Sequence, residues 1–515
     1  MQVPDSSQAV STQHYTNNKT IGCYWPQLLI IFLVYFAAIS ASTWMTPIDF
    51  DGAMHFQVAE SLRDNFTYKS RYEPSTVYYP KITTNGPLQY FMAAMISLFG
   101  LDKGRSLALG TVAGMAAGIV FLYSWRSFIL YSLLIVFWPM FFAVHTLFLG
   151  EVFAISMMMA GFMNWERWSQ EVYRTKPIIN NWKIILSSPS LLYSGLFLGI
   201  AISTKLFAAP AILLLLFCIA IDQHIRLPGR NYHTVAIIIA IPYLLSVVIF
   251  IFQLCIATLH SGVDITTSFA ILKKFVESHM MQSRIISLRN VNYILALRDQ
   301  WVIVIAYLAI SLFMLRNHTV MTLTVFASVV LTLWFNLNQR RIMPLTVPVM
   351  LISMKISYKK PLDNDIDNNN IINRYCLIAV VAIILMLGDV LSLTPITIIN
   401  KLLNFSLKGA SHNVARISRQ PGDRVYNKTL LPLLKSLDGP VFTSGWWQYP
   451  EIALRTGMIF YDRFSPANKR LLLNANRSFL LFSSKNQEDR LTERNLCGNI
   501  LYRDGSLVLC RFSPH

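Results

Sequence analysis

Pro26-Gln27-Leu28-Leu29-Ile30-Ile31-Phe32-Leu33-Val34-Tyr35-Phe36-Ala37-Ala38-Ile39-Ser40-Ala41-Ser42 is an apolar run of membrane length. A few residues further on stands Asp49-Phe50-Asp51-Gly52-Ala53-Met54-His55-Phe56. The run follows a polar N-terminal arm and leads into no cleavage site with soluble sequence behind it, so it reads as a retained span. Two acids then sit at the mouth of a bilayer-embedded chain, where an ionisable side chain is a functional candidate by default.

The composition agrees. With 54% hydrophobic and only 14% charged residues over 515 positions, and a mean hydropathy of +0.46, an ordinary soluble domain is excluded. The net charge of +18 does not indicate nucleic acid, because the basic residues cluster between apolar runs. Arg126, then Arg167, Arg174, Lys176 and Lys183, then Arg226 and Arg230, Arg316, and Lys355, Lys359 and Lys360 fall where the positive-inside bias puts cytoplasmic loops. The six cysteines have no zinc or iron–sulfur spacing.

With the N-terminus cytoplasmic, spans are expected near 26–42, 105–124, 127–145, 152–164, 189–204, 206–221, 234–257, 299–315, 318–336, 342–354 and 373–394. That makes about 11 transmembrane helices, several short of the roughly 20 residues a perpendicular crossing needs. Pro87 to Phe99 is apolar too, but a full crossing there would put the basic loops outside, so it reads as a juxtamembrane or re-entrant helix. Residues 43–104 form an outer loop, in which Ala53, Phe56, Ala59 and Leu62 give 52–64 the spacing of an interfacial helix. Residues 258–298 form a second outer loop, with Ile271, Leu272, Phe275 and Val276 suggesting another amphipathic helix.

The fold class is therefore an all-α polytopic membrane protein, residues 1–404, followed by a small soluble α/β domain, residues 405–515. In the latter, 430–437 and 450–456 read as helices, and 441–443, 471–473, 478–482 and 507–509 as strands. Asp504-Gly505 is a turn signal. Cys497 and Cys510 flank that turn and are either disulfide-bonded, in an oxidising compartment, or two separate reduced core thiols.

Once the spans are placed, the residues both charged and pinned to the outer membrane face are few: Asp49, Asp51, Glu151, Lys205, Arg340 and Arg341. All lie at or near span ends, so bundling the spans could gather them round one cavity. Asp51 is the candidate general base, since a partly desolvated carboxylate can take a proton from an acceptor hydroxyl. Capping the 52–64 helix is the alternative for Asp49 or Asp51, as it is for Glu151 before its own span. A second carboxylate could instead orient the acceptor or share a divalent cation with Asp51. His55, one turn beyond Asp51, could assist. Lys205 either snorkels or anchors a phosphate, and Arg340-Arg341 could clamp a phosphate bidentately and stabilise it as a leaving group. There is no nucleotide-binding loop, so an activated group at this face has to arrive on a lipid.

These segments together resemble the GT-C superfamily of integral-membrane glycosyltransferases, particularly bacterial ones similar to aminoarabinose transferases and protein mannosyltransferases. Phe50-Asp51-Gly52-Ala53-Met54-His55-Phe56 resembles the first-loop acidic motif, with Gly52 in place of the usual Glu. Asn85-Gly86-Pro87-Leu88-Gln89-Tyr90 is similar to the entry of the family's juxtamembrane helix, and Leu149-Gly150-Glu151 stands where the second-loop acid does. Leu198-Gly199 to Thr204-Lys205 and Arg341-Ile342-Met343-Pro344 with Pro348 resemble two further segments, with Ile342 where a tyrosine is usual. The resemblance implies transfer of a sugar from a polyprenyl-phosphate donor, such as undecaprenyl phosphate, to a periplasmic glycan, lipid or protein acceptor. It also implies a multi-pass protein of the bacterial inner membrane, with its C-terminal domain periplasmic. A transporter or flippase, or an oligosaccharide polymerase or ligase, is the alternative function. Ser444-Gly445-Trp446-Trp447-Gln448-Tyr449 either stacks on a sugar or packs a core.

Overall fold

The computed structural model describes residues 25–45, 48, 50–68, 85–137, 139–148, 150–175, 186–226, 232–262, 264–267, 269–270, 272–273, 339–357, 425–443, 450–463, 466–474, 477–483, 495–504 and 507–513. Its helical part comprises α1 (Trp25–Met45), α2 (Phe50–Asn65), α3 (Gly86–Phe99), α4 (Leu101–Tyr123), α5 (Trp125–Phe137), α6 (Pro139–Thr146), α7 (Glu151–Thr175), α8 (Pro189–Thr204), α9 (Ala208–Arg226), α10 (Tyr232–Ser261) and α11 (Gln339–Ser357). Three of these, α1, α4 and α10, are long and apolar enough to cross a membrane. The spans expected at 299–315, 318–336 and 373–394 lie outside the described residues, as do Asp49 and the 444–449 segment.

Small residues set the packing. Gly110 and Gly114 of α4 lie against the backbone carbonyls of Phe36 and Phe32 on α1, where an added methyl would come within 2.8 and 2.9 Å of those oxygens. Ser40 and Ser106 exchange hydroxyl-to-carbonyl hydrogen bonds of 3.1 and 2.6 Å beside them. Close backbone approach through small residues is how helices associate where lipid removes the usual hydrophobic drive. Gly161 on α7 meets Leu198 on α8, while Gly195 and Gly199 on α8 meet Leu245 and Ile249 on α10. Falling and rising residue numbers make α1/α4 and α7/α8 antiparallel and α8/α10 parallel.

Those directions show that α3 does not cross. Tyr123, at the end of α4, donates to Glu166 far along α7 (3.4 Å), so α4 and α7 begin at the same end of the bundle. Asn85, just before α3, packs on Gly150, just before α7, while α3 leads through Gly100 directly into α4. Both ends of α3 therefore lie at one end of the bundle, called the site end below, as the loop charges anticipated.

Three expectations in this region are corrected. The span expected at 127–145 is two helices, α5 and α6, because Pro139, which cannot donate to the preceding turn, opens the second. The second outer loop begins later than 258, since α10 runs to Ser261; most of its expected amphipathic helix lies outside the described residues. The 52–64 helix is not a half-exposed interfacial one: in α2 the polar Gln57, Glu60 and Ser61 are buried along with Ala53, Phe56 and Ala59. It is covered on one side by α3 and on another by α13 of the C-terminal part.

That C-terminal part comprises α12 (Val425–Lys435), β1 (Val441–Thr443), α13 (Pro450–Thr456), β2 (Phe460–Asp462), α14 (Pro466–Asn474), β3 (Phe479–Ser483), β4 (Cys497–Asp504) and β5 (Leu507–Phe512). The strands form a five-stranded sheet in the order β2-β1-β3-β5-β4. Pairing is parallel through β2, β1 and β3, with Val441 opposite both Phe460 and Phe479, and antiparallel thereafter, with Leu481 opposite Leu509 and Asp504 opposite Leu507. The alternation of β3 splits its side chains between two faces. Leu480 and Phe482 pack with Leu472 of α14, whereas Phe479 and Leu481 pack with Leu430, Leu434 and Ile452 of α12 and α13. Leu471 to Leu473, expected as a strand, lies in α14: Pro466 opens the helix, and Asn468 and Leu472, one turn apart, are buried while Leu471 and Leu473 are exposed. Cys497 and Cys510 are joined by a disulfide between β4 and β5, their Cα atoms 5.7 Å apart.

The second of these faces also takes in Met54 of α2. Arg455 of α13 bridges to Asp102, in the first turn of α4, with contacts of 3.3 and 3.4 Å. The C-terminal part thus docks on the site end through α13 and holds the helix that begins at Phe50.

Candidate functional site

Three chain turns converge at the site end. Asn85, in a left-handed conformation (φ 61°), donates its backbone N–H to the Thr204 carbonyl at the end of α8 (2.8 Å). Its side-chain amide donates to the Phe148 carbonyl ahead of α7 (3.2 Å). Gly150, with φ +83°, fits between them: a methyl there would lie 2.3 Å from Asn85 Oδ1 and 2.9 Å from Thr204 Cγ2. Gly150→Ala is therefore expected to destabilise by about 1–2 kcal/mol for the left-handed backbone and by a further 1–3 kcal/mol, roughly, for the overlap. The readout is a lowered thermal midpoint in detergent. Gly118→Ala, inside α4 with only one atom within 4 Å of the added methyl, should leave the midpoint unchanged or raise it.

This convergence joins two of the sequence-predicted residues. Glu151 opens α7 and Lys205 closes α8, and Lys205 Nζ lies 3.3 Å from Glu151 Oε1, the two side chains only 14% and 4% exposed. Each charge suits its helix: a carboxylate at an N-terminus and an ammonium at a C-terminus both oppose the macrodipole. The pair stands in a largely apolar wall, where ions are costly unless matched. One carboxylate facing one ammonium is a poor donor set for a divalent cation, which needs several oxygens. Among the described residues no three His, Cys, Asp or Glu side chains gather as a metal site would require.

Next to the pair lies α2. Phe56 stacks on Phe148 with centroids 4.9 Å apart, and His55 meets the same ring edge-on at 6.0 Å. Gln89 of α3 donates to His55 Nδ1 (3.3 Å). Asp51 occupies the first turn of α2, one turn before His55; its side chain is outside the described residues.

The depth of Arg340 and Arg341 follows from the opposite end. Lys355 of α11 forms an ion pair with Glu166 of α7 and lies 3.9 Å above the Tyr123 ring, while Ser127, early in α5, donates to the Leu351 carbonyl (2.6 Å). From Glu166 back to Glu151 is ~22 Å of helix, and from Lys355 back to Arg341 is ~21 Å. The first turn of α11 thus reaches the level of the Glu151–Lys205 pair. The side chains of Arg340 and Arg341 are outside the described residues.

Several residues at this end escaped the sequence reading. Arg105 is buried and donates to the Thr43 carbonyl (2.6 Å), tying α4 to the end of α1. His260, at the end of α10, accepts or donates at Nδ1 to the Tyr90 hydroxyl (3.1 Å), and its carbonyl accepts from the Tyr68 N–H (2.9 Å). Gln253 is buried in α10. A lone carboxamide in an otherwise apolar membrane-length run was the available signal for it.

No protein-family model matches the sequence, and no curated protein is similar to it in sequence. In three dimensions the chain is similar to ArnT from Cupriavidus metallidurans bound to undecaprenyl phosphate, with a TM-score of 0.56 at 11% identity over 95% of this chain and 98% of that one. It is also similar to the apo state of the same protein, with a TM-score of 0.52 at 11% identity over 96% and 98%. At that identity the likeness shows the fold. An all-α N-terminal region with three helices of membrane length, followed by a small domain with strands, accords with a GT-C-like fold.

Proposed function

We propose that this chain is an integral-membrane glycosyltransferase that moves a sugar from a polyprenyl-phosphate donor to a glycan, lipid or protein acceptor. In this reading about 11 helices span a bacterial inner membrane, residues 1–404 form the transferase domain, and residues 405–515 form a periplasmic domain over the site end. The observation that supports it is the buried Glu151–Lys205 pair, formed where the turns before α3 and α7 and after α8 meet. The ArnT structure with undecaprenyl phosphate supports the donor class by likeness of fold.

The chemistry follows from the charges. The acceptor hydroxyl gives its proton to Asp51 as its oxygen attacks the anomeric carbon, and the bond from that carbon to the phosphate oxygen breaks. The leaving polyprenyl phosphate gains one negative charge, which Lys205, Arg340 and Arg341 would offset. Glu151 keeps Lys205 in place; Asp49 and His55 flank the base. No step requires a metal.

Transfer from a panel of radiolabelled polyprenyl-phosphate sugars, assayed in membranes containing the protein, tests the reading. Label should pass from one donor to a membrane or soluble acceptor. Translocation of intact donor across proteoliposomes, with no transfer or hydrolysis from any member of the panel, would replace the transferase with a flippase.

A further inference from the structure

Two carboxamides at the site end are buried without the partners that burial demands. Gln89 is fully buried, and its Oε1 has no hydrogen-bond partner among the described residues; its Nε2 reaches only His55. Gln253 is 7% exposed, and neither its Oε1 nor its Nε2 has a partner among the described residues. An unsatisfied amide in an apolar wall costs folding free energy, so such groups in a native structure call for an explanation.

Their positions relate them. Ile249, one turn before Gln253, packs on Gly199 of α8, and Ser203, one turn after Gly199, abuts Gly86 of α3. Gln253 is therefore level with Ser203 and the first turn of α3, and one helical turn beyond Gly86 comes Gln89. His260, on the same side of α10 two turns beyond Gln253, meets Tyr90 at 3.1 Å. The rings of His55, Tyr90 and His260, from three helices, and of Phe148, from the turn before α7, meet in this region.

The chemistry of these groups selects a ligand. Carboxamides each offer one acceptor and two donors without charge, which matches vicinal hydroxyls, and aromatic faces match the C–H face of a sugar ring. A phosphate would call for a cation in contact, whereas the one partner of Gln89 among the described residues is the His55 ring and Gln253 has none. We propose that Gln89 and Gln253 form the subsite that reads the hydroxyls of the sugar carried by the lipid donor, a role that rests on the transferase reading above. Gln89 does so beside His55, and Gln253 from the floor formed by α10.

The test compares binding of bare undecaprenyl phosphate with binding of a panel of hexosyl and aminopentosyl undecaprenyl phosphates to the full-length protein in nanodiscs. The native chain should bind one glycosylated lipid more tightly than the bare one. Gln89→Met and Gln253→Met, tested separately, should each weaken that glycosylated lipid by about tenfold, the loss of one good hydrogen bond, while bare-lipid binding stays unchanged and reports that each variant is folded. An unchanged preference in both variants, or a parallel loss of both lipids, would overturn the subsite. A native protein that binds bare and glycosylated lipid equally would also overturn it but leave the donor class standing. One that binds neither would sink the transferase reading itself.

Discussion

Asp51→Asn is expected to lower sugar transfer by at least about 100-fold, the low end of what a positioned general base contributes, while leaving the thermal midpoint and bare undecaprenyl phosphate binding as they are. Asn is chosen because it separates the two roles open to a carboxylate in the first turn of α2. Asp51 lies inside the helix that begins at Phe50, so its structural role would be to oppose the helix macrodipole, which neutralisation gives up at under about 1 kcal/mol. As a base it must take a proton, which a carboxamide cannot do. The helix around it is held on three sides: Met54 joins the apolar cluster beneath α12 and α13, Phe56 is stacked on Phe148, and His55 is held by Gln89. A neutral isostere should therefore leave the backbone undisturbed. Equal rates for the native and D51N proteins, measured with the same labelled donor, would take Asp51 out of the chemistry and leave it a first-turn acid opposing the helix macrodipole.

The sequence made the helix ends legible, because apolar runs stop where polar groups begin. Pro189 to Thr204 was read to the residue, and α1, α3 and α10 to within a few. The same pattern put Glu151 and Lys205 each at the end of an apolar run, and the structure joins the two. The burial of α2 was not legible. Its apolar residues at helical spacing fit a membrane surface as well as a protein one, and only the fold brings the C-terminal part across onto Met54. Leu471 to Leu473 illustrates the limit of short apolar runs: three leucines carry no period, and Pro466 decided for helix. Gln89 and Gln253 were passed over because a carboxamide bears no charge to draw attention, although burial makes it as demanding as one that does. The direction of α3 was legible only indirectly, from basic residues elsewhere that a crossing would have misplaced.

Lys205→Met is expected to cost about 3–5 kcal/mol, because it removes the ammonium that matches the buried Glu151 carboxylate, and to reduce transfer by roughly 10²–10³, as removal of a group stabilising transition-state charge does. The single variant alone cannot separate these effects, since a loosened site also loses rate. Glu151→Gln combined with Lys205→Met can. The double variant replaces a buried ion pair with neutral groups of similar volume, an exchange that is often neutral for stability. Its thermal midpoint should return to within a few degrees of the native value while transfer stays low, because the leaving phosphate has still lost the Lys205 ammonium. If the pair serves only to fasten α7 to α8 through the turn at Gly150, the double variant should instead recover both stability and rate. Recovery of transfer to near the native level would therefore assign the phosphate to Arg340 and Arg341 alone. The first turn of α11 stands at this depth because the Glu166–Lys355 pair holds the far end of the helix.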